Sequence, residues 1–185
     1  MEYRKGIMRI SLAESLRELM IKHVFEKITI KQVCDEAGVI RATFYNYFND
    51  KYDCLNWIIY HDICENNEEY LKSGDFKTAY YNCFKTIEEN KEFYRSAYNN
   101  VIGINSFESI LRNLLTEMFE KYFINYRKRG FLPNYSDELL AKYYSESIAF
   151  LIRIFVFEVD GKYTVEQIMQ LGHDLMTHSV MDAIK

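Results

Sequence analysis

Apolar residues recur at helical spacing from near the start of the chain. Ile10, Ala13, Leu16, Met20 and Val24 share one face, which predicts a helix over about residues 9–24. A shorter pattern, Ile30, Val33, Cys34 and Ala37, follows a Thr29 suited to the N-cap and stops at Gly38. A third segment, about 41–48, carries Phe44 and Phe48 four residues apart, so both rings face inward, while Arg41, Thr43, Tyr45, Asn46 and Tyr47 supply donors. Two short helices around a glycine turn make a helix-turn-helix over about residues 29–48, the unit that lays its second helix in a DNA major groove.

The remaining pattern is also helical. Asp50 suits the N-cap of a helix from Lys51 to about Leu71, with Leu55, Ile58, Ile59 and Ile63 as its stripe, and Ser73, Gly74 and Asp75 break it. Asp75 opens a helix to about Glu89, and another covers Lys91 to Tyr98. Ser106 opens one over about 107–129, ended by Gly130 and Pro133, with Arg127, Lys128 and Arg129 suited to the negative end of its dipole. Ser136 opens the next, to about Glu158, and Gly161 closes the turn after it. Thr164 with Gln167 is a capping-box pattern for a last helix to about Ile184. The prediction is an all-α chain of about nine helices: a three-helix helix-turn-helix domain over residues 1–52 and a helical regulatory and dimerisation domain over 53–185. The boundary falls in or at the end of the fourth helix, because no Pro/Gly/Ser-rich spacer exists.

The chemistry of the third segment suits double-stranded DNA. Arg41, Thr43 and Asn46 are candidates for base edges, and Ala42 is slim enough for close approach to a groove. Tyr45, Tyr47, Thr29 and Lys51 are candidates for phosphate, Lys51 because it stands at a helix start where N–H groups and a cation converge. Bland readings stand beside these: packing for the two tyrosines, a simple cap for Thr29, a solvated charge for Arg41. Arg4, Lys5 and Arg9 are either an arm on phosphates or a solvated terminus.

Ala37, Gly38, Val39, Thr43, Phe44, Tyr45, Tyr47, Phe48 and Lys51 together resemble the signature of the TetR family of bacterial transcriptional regulators, over roughly residues 8–57. A weaker likeness, through TFYNYFNDKYD and Trp57, is to the subgroup resembling the activator of dihydroxyacetone kinase genes. The chain departs from the family at Ile40, where Ser or Thr usually caps the recognition helix; a missing cap typically costs about 1 kcal/mol. The resemblance implies a dimer on a palindromic operator, controlled by a small-molecule effector among the C-terminal helices or, in the subgroup, by a protein partner.

Composition narrows the class. Of 185 residues 49% are hydrophobic, which argues against disorder, and 7 Gly with 1 Pro favour long helices. The net charge of −4 does not by itself suggest a nucleic-acid binder. Residues 1–51 hold nine Lys or Arg against seven acids, net +2, which leaves −6 for the remainder. DNA affinity must therefore come from local placement of cations. The 4 cysteines sit inside helical patterns without zinc spacing and read as reduced thiols of a cytoplasmic protein without a secretory signal. The most apolar run, Ile148 to Phe157, is interrupted by Arg153 and too short for a bilayer.

Two further features concern assembly and control. The eighth predicted helix is apolar on more than one side and must be covered on more than one side. Tyr144, Ile148, Leu151 and Phe155, with Ile168, Leu171, Gly172 and Leu175 from the ninth, are candidates for a homodimer interface, a four-helix bundle made from two helices of each subunit. Such a pair would present two readers one DNA turn apart, about 34–36 Å. Full coverage within one chain is the alternative. Tyr81, Phe84, Tyr94, Tyr98, Phe119, Tyr122 and Phe123 are candidates for an effector pocket, and equally for an uneven core. His23, His61, His173 and His178 lack metal-ligand spacing, and no catalytic order of Ser, His and Asp or glycine-rich phosphate loop appears, so neither enzyme chemistry nor a cofactor is expected.

Overall fold

Side-chain caps set most of the helix starts. In the computed structural model, which describes residues 2–128, 130, 132–157 and 163–177 (side chains of 2–5, 176 and 177 excepted), ten α-helices and two 3-10 turns follow one another and no strand occurs among the described residues. They are α1 (Glu2–Lys22), α2 (Ile30–Glu36), α3 (Arg41–Tyr45), α4 (Lys51–Ile63), α5 (Glu68–Ser73), α6 (Phe76–Glu89), α7 (Lys91–Asn100), α8 (Phe107–Tyr126), α9 (Asp137–Phe157) and α10 (Val165–Thr177). Thr29 and Gln32 form a full capping box at α2. Asp50, Asp75 and Ser106 accept N–H bonds three residues on, from Asp53, Thr78 and Ser109. Thr164 and Gln167 bond reciprocally ahead of α10. Gly38 turns the chain between α2 and α3 at φ +66°, a conformation that other residues rarely adopt.

The expected helix from Lys51 to Leu71 is divided. Asn67, buried in the core, donates from Nδ2 to the Ile63 carbonyl at 3.1 Å, and a 3-10 turn over Glu65–Asn67 separates α4 from α5. A short polar side chain that competes for a backbone carbonyl stops a helix. The expected basic cluster after α8 also differs. Arg127 reaches across the turn to the carbonyls of Leu132 and Tyr135 and to Asp137, and so ties α8 to α9. The expected ends at Arg129, Glu158 and Ile184, the Gly161 turn, the arm side chains of Arg4 and Lys5, and His178 lie outside the described residues.

One apolar cluster runs from Leu12 to Met169 without a gap at residue 52. α8 and α9 pack antiparallel: Thr116 shares a hydrogen bond with Ser145, and Arg112–Glu146 and Glu108–Arg153 flank it. α1 packs on α4 and on α7, and the 3-10 turn over Phe25–Lys27 also touches α7, so the N-terminal helices rest against the later ones.

Candidate nucleic-acid interface

The helix-turn-helix is held from below by its own aromatic residues. Phe44 and Phe48 are fully buried with ring centroids 5.6 Å apart, and Phe48 lies 6.0 Å from Trp57 of α4. The Arg9 guanidinium stacks over Trp57 at 4.8 Å, a cation–π contact between α1 and α4. With that side of α3 committed, Arg41, Ala42, Tyr45 and Asn46 are exposed, and Thr43 and Tyr47 are half-buried. Among the described residues, no side-chain hydrogen bond or ion pair holds Arg41, Thr43, Tyr45 or Asn46. These groups form a polar surface available to an outside partner.

Two of the sequence candidates have structural duties instead. The Lys51 ammonium donates to the carbonyls of Phe25, Glu26 and Ile28 at 2.8, 3.0 and 3.1 Å and lies 4.7 Å from the Phe25 ring. An ammonium has three donors, and all three are engaged. Asp50 and Asp53 occupy the start of α4, which gives that end no appetite for an anion. Lys51 is therefore a clasp between α4 and the turn before α2, not a group free for phosphate. Thr29 likewise serves as a cap: its hydroxyl oxygen accepts from the Gln32 N–H, and its own N–H donates to Gln32 Oε1. Lys27 and Lys31, on either side of Thr29, are exposed cations that the sequence reading passed over.

A buried ionic group ties this unit to the rest. Arg17 of α1 donates to both carboxylate oxygens of Asp62 of α4 at 3.1 Å, and Tyr94 of α7 donates to Asp62 at 2.7 Å. The guanidinium also stacks on Phe93 at 4.6 Å. Burial, the largest influence, lowers the Arg17 pKa, but Asp62, Tyr94 and Glu14 together outweigh it and the pKa is raised. Burial, reinforced by the same carboxylate, raises the Tyr94 pKa well above its usual value and keeps the phenol protonated. Ser96 of α7 adds a hydrogen bond to the Met20 carbonyl of α1.

The aromatic candidates for a pocket divide. A cavity of about 360 Å³ opens among α4, α5, α6, α8, α9 and α10, and Tyr81 and Phe119 line it. An adjoining cavity of about 270 Å³ has Phe119 and Tyr122 in its wall. Phe84 and Tyr94 are wholly buried core residues, Tyr98 packs between Phe107 and Phe157, and Phe123 packs on Phe119 and Tyr144, so these four line neither cavity. The walls that the sequence reading missed are largely aliphatic, including Ile63, Leu71, Met118 and Met169, with Phe76 and Tyr80. Tyr80 Oη is buried in this wall without a hydrogen-bond partner among the described residues, and burial pushes its pKa up.

The dimer candidates need a sharper correction. Ile148, Leu151, Phe155 and Ile168 are buried within their own chain, and Tyr144 is half-buried against Phe119 and Phe123. The close approach at Gly172 is intramolecular: a Cβ there would lie 2.2 Å from Tyr80 Oη. The apolar side chains that α9 leaves uncovered are Leu139, Tyr143, Phe150 and Phe157, and α10 adds Leu171 and Leu175. Of the eight candidates, Leu171 and Leu175 of α10 are the ones that stay exposed.

Fold and surface together define a helix-turn-helix protein with an appended helical domain. Residues 12–58 match the model for bacterial regulatory proteins of the tetR family. The chain is similar to the HTH-type dhaKLM operon transcriptional activator DhaS of Lactococcus lactis subsp. lactis (strain IL1403), 26% identical over 90 residues; the match spans 47% of this chain and 46% of that relative, just under half its length. The fold is similar to the solved dihydroxyacetone kinase operon activator DhaS, with TM-score 0.60, 18% identity and 92% of each chain covered. It is also similar to the fatty acid degradation regulator FadR from Bacillus halodurans, with TM-score 0.62, 15% identity, and 93% of this chain and 97% of that one covered. Among the described residues, no helix is long and apolar enough to cross a membrane, and no group of three or more His, Cys, Asp or Glu is placed to hold a metal.

Proposed function

We propose that this chain is a cytoplasmic, sequence-specific DNA-binding transcriptional regulator. It acts as a homodimer on a palindromic operator under the control of a small molecule bound in the C-terminal domain. Residues 1–52 read the duplex and residues 53–185 regulate and dimerise. The observation that carries the reading is the unpartnered polar side of α3, held outward by buried Phe44 and Phe48. Arg41, Thr43 and Asn46 address base edges, Ala42 permits close approach, and Tyr45 and Tyr47 address the backbone.

The cavity supports effector control. Its walls are mostly hydrocarbon, with Lys77, Glu166, Gln170 and His173 also in the lining, and the Tyr80 hydroxyl, without a hydrogen-bond partner among the described residues, suits an apolar molecule that carries polar groups. Ile63 lines this cavity and is the chain neighbour of Asp62, which holds Arg17 of α1. An occupant that displaces Ile63 moves the anchor of the reading unit, and the separation of the two readers changes with it. Control by a protein partner is the second reading, and exposed Ile102 and Ile104 (71% and 96%) in the loop before α8 favour it.

Duplexes captured from the source genome by the full-length protein test the first claim. Arg41→Ala is expected to weaken the captured site by about 1–3 kcal/mol and to relax preference at one base pair, measured by fluorescence anisotropy against a random duplex. Equal weakening on both duplexes would remove Arg41 from base reading.

A further inference from the structure

Ile40 breaks two local rules at one position. It is the N-cap of α3, at φ −86° and ψ 156°, and makes no side-chain bond to the helix, whereas α2, α4, α6 and α8 are all capped by a side chain. Its branched hydrocarbon is also 71% exposed, although Val39 beside it packs against the core. A serine here would improve both features, since it would cap the helix and remove apolar surface from water. Departures from local consistency concentrate where a surface is used. This departure adjoins Arg41, on the same segment as Thr43 and Asn46.

A major groove offers such a side chain a specific apolar feature, the C5-methyl group of thymine. We propose that Ile40 recognises a thymine through that methyl group and is a specificity determinant of the reading unit. The inference rests on the DNA-binding function proposed above. It assigns Ile40 a task that Arg41 and Asn46 do not share, since both suit hydrogen-bonding base edges and neither has an apolar branched side chain to set against a methyl group. An isoleucine merely tolerated in solvent would leave binding indifferent to the methyl.

The test uses the full-length chain and its Ile40→Ser variant, each selecting duplexes from a random-sequence pool. Every thymine of the selected site is then replaced singly by deoxyuridine, which lacks only the methyl. One replacement is expected to weaken the wild type about 4-fold, the worth of one buried methyl-sized group. Ile40→Ser is expected to select no thymine there and to bind thymine and uracil duplexes equally. Its Tm should equal or exceed that of the wild type because the cap is restored, which separates lost reading from lost folding. The inference is overturned if the wild type ignores uracil at every position, or if Ile40→Ser keeps the same thymine with the same uracil loss. A wild type that selects no sequence overturns the DNA-binding reading itself and this inference with it, which is distinct from a selected site that is blind to the methyl.

Discussion

α3 and α9 use hydrophobic residues in opposite ways. α3 is short and carries one apolar side, which its own chain covers completely through Phe44 and the nearby Phe48. α9 is four times as long and apolar on two sides; its own chain covers Ile148, Leu151 and Phe155 and leaves Leu139, Tyr143 and Phe150 in water. A one-sided helix states its orientation through residue types alone. A two-sided helix states only that two neighbours are required, and not which neighbour takes which side.

The two sides of α9 should respond to mutation differently. Phe155→Ala removes a ring that packs on Phe84 and is expected to cost about 3–5 kcal/mol, seen as a fall in Tm and in the denaturant midpoint. A loss no larger than that for an exposed position would contradict the inside–outside assignment. At the junction between α1 and α4, Asp62→Ala strands the buried Arg17 guanidinium and should cost a similar amount, about 3–5 kcal/mol. If Asp62→Ala unfolds the protein, Asp62→Asn, which keeps the shape and an acceptor for Tyr94, gives a milder measurement of the same link. A smaller effect is expected within the helix-turn-helix. Lys51→Ala withdraws three hydrogen bonds from a charged donor and should lower stability by about 2 kcal/mol while leaving the salt dependence of DNA binding unchanged. A flatter salt slope in that variant would return Lys51 to the phosphate contacts. The smallest change in folding stability is expected on the outer side of α9. Phe150→Glu, at a position 62% exposed, should move stability by no more than about 0.5 kcal/mol yet yield monomers in sedimentation at concentrations where the wild type is dimeric. A wild type that sediments as a monomer throughout would overturn the proposed homodimer.

The same contrast separates what was legible in the residues from what was not. The helix-turn-helix could be read locally because each of its signals acts within a few residues: the Thr29 cap with Gln32, the Gly38 turn, the four-residue spacing of Phe44 and Phe48, and the Asp50 cap. The caps at Asp75, Ser106 and Thr164 were legible for the same reason. The division of the fourth predicted helix at Asn67 was not, because an asparagine stops a helix only when burial deprives it of water and a carbonyl is within reach. Nor was the duty of Lys51, whose three acceptors lie 23 to 26 residues earlier in the chain.

By itself, then, the sequence determined the helical class, the order of the elements and the outward chemistry of α3, since those follow from periodicity and short-range capping. Tertiary structure alone decided which aromatic residues border a cavity, which side of α9 stays in solvent, and that Arg17, Asp62 and Tyr94 meet. The physical reason is range: hydrophobic burial is non-directional, so a list of apolar residues does not specify their neighbours until packing assigns each a place.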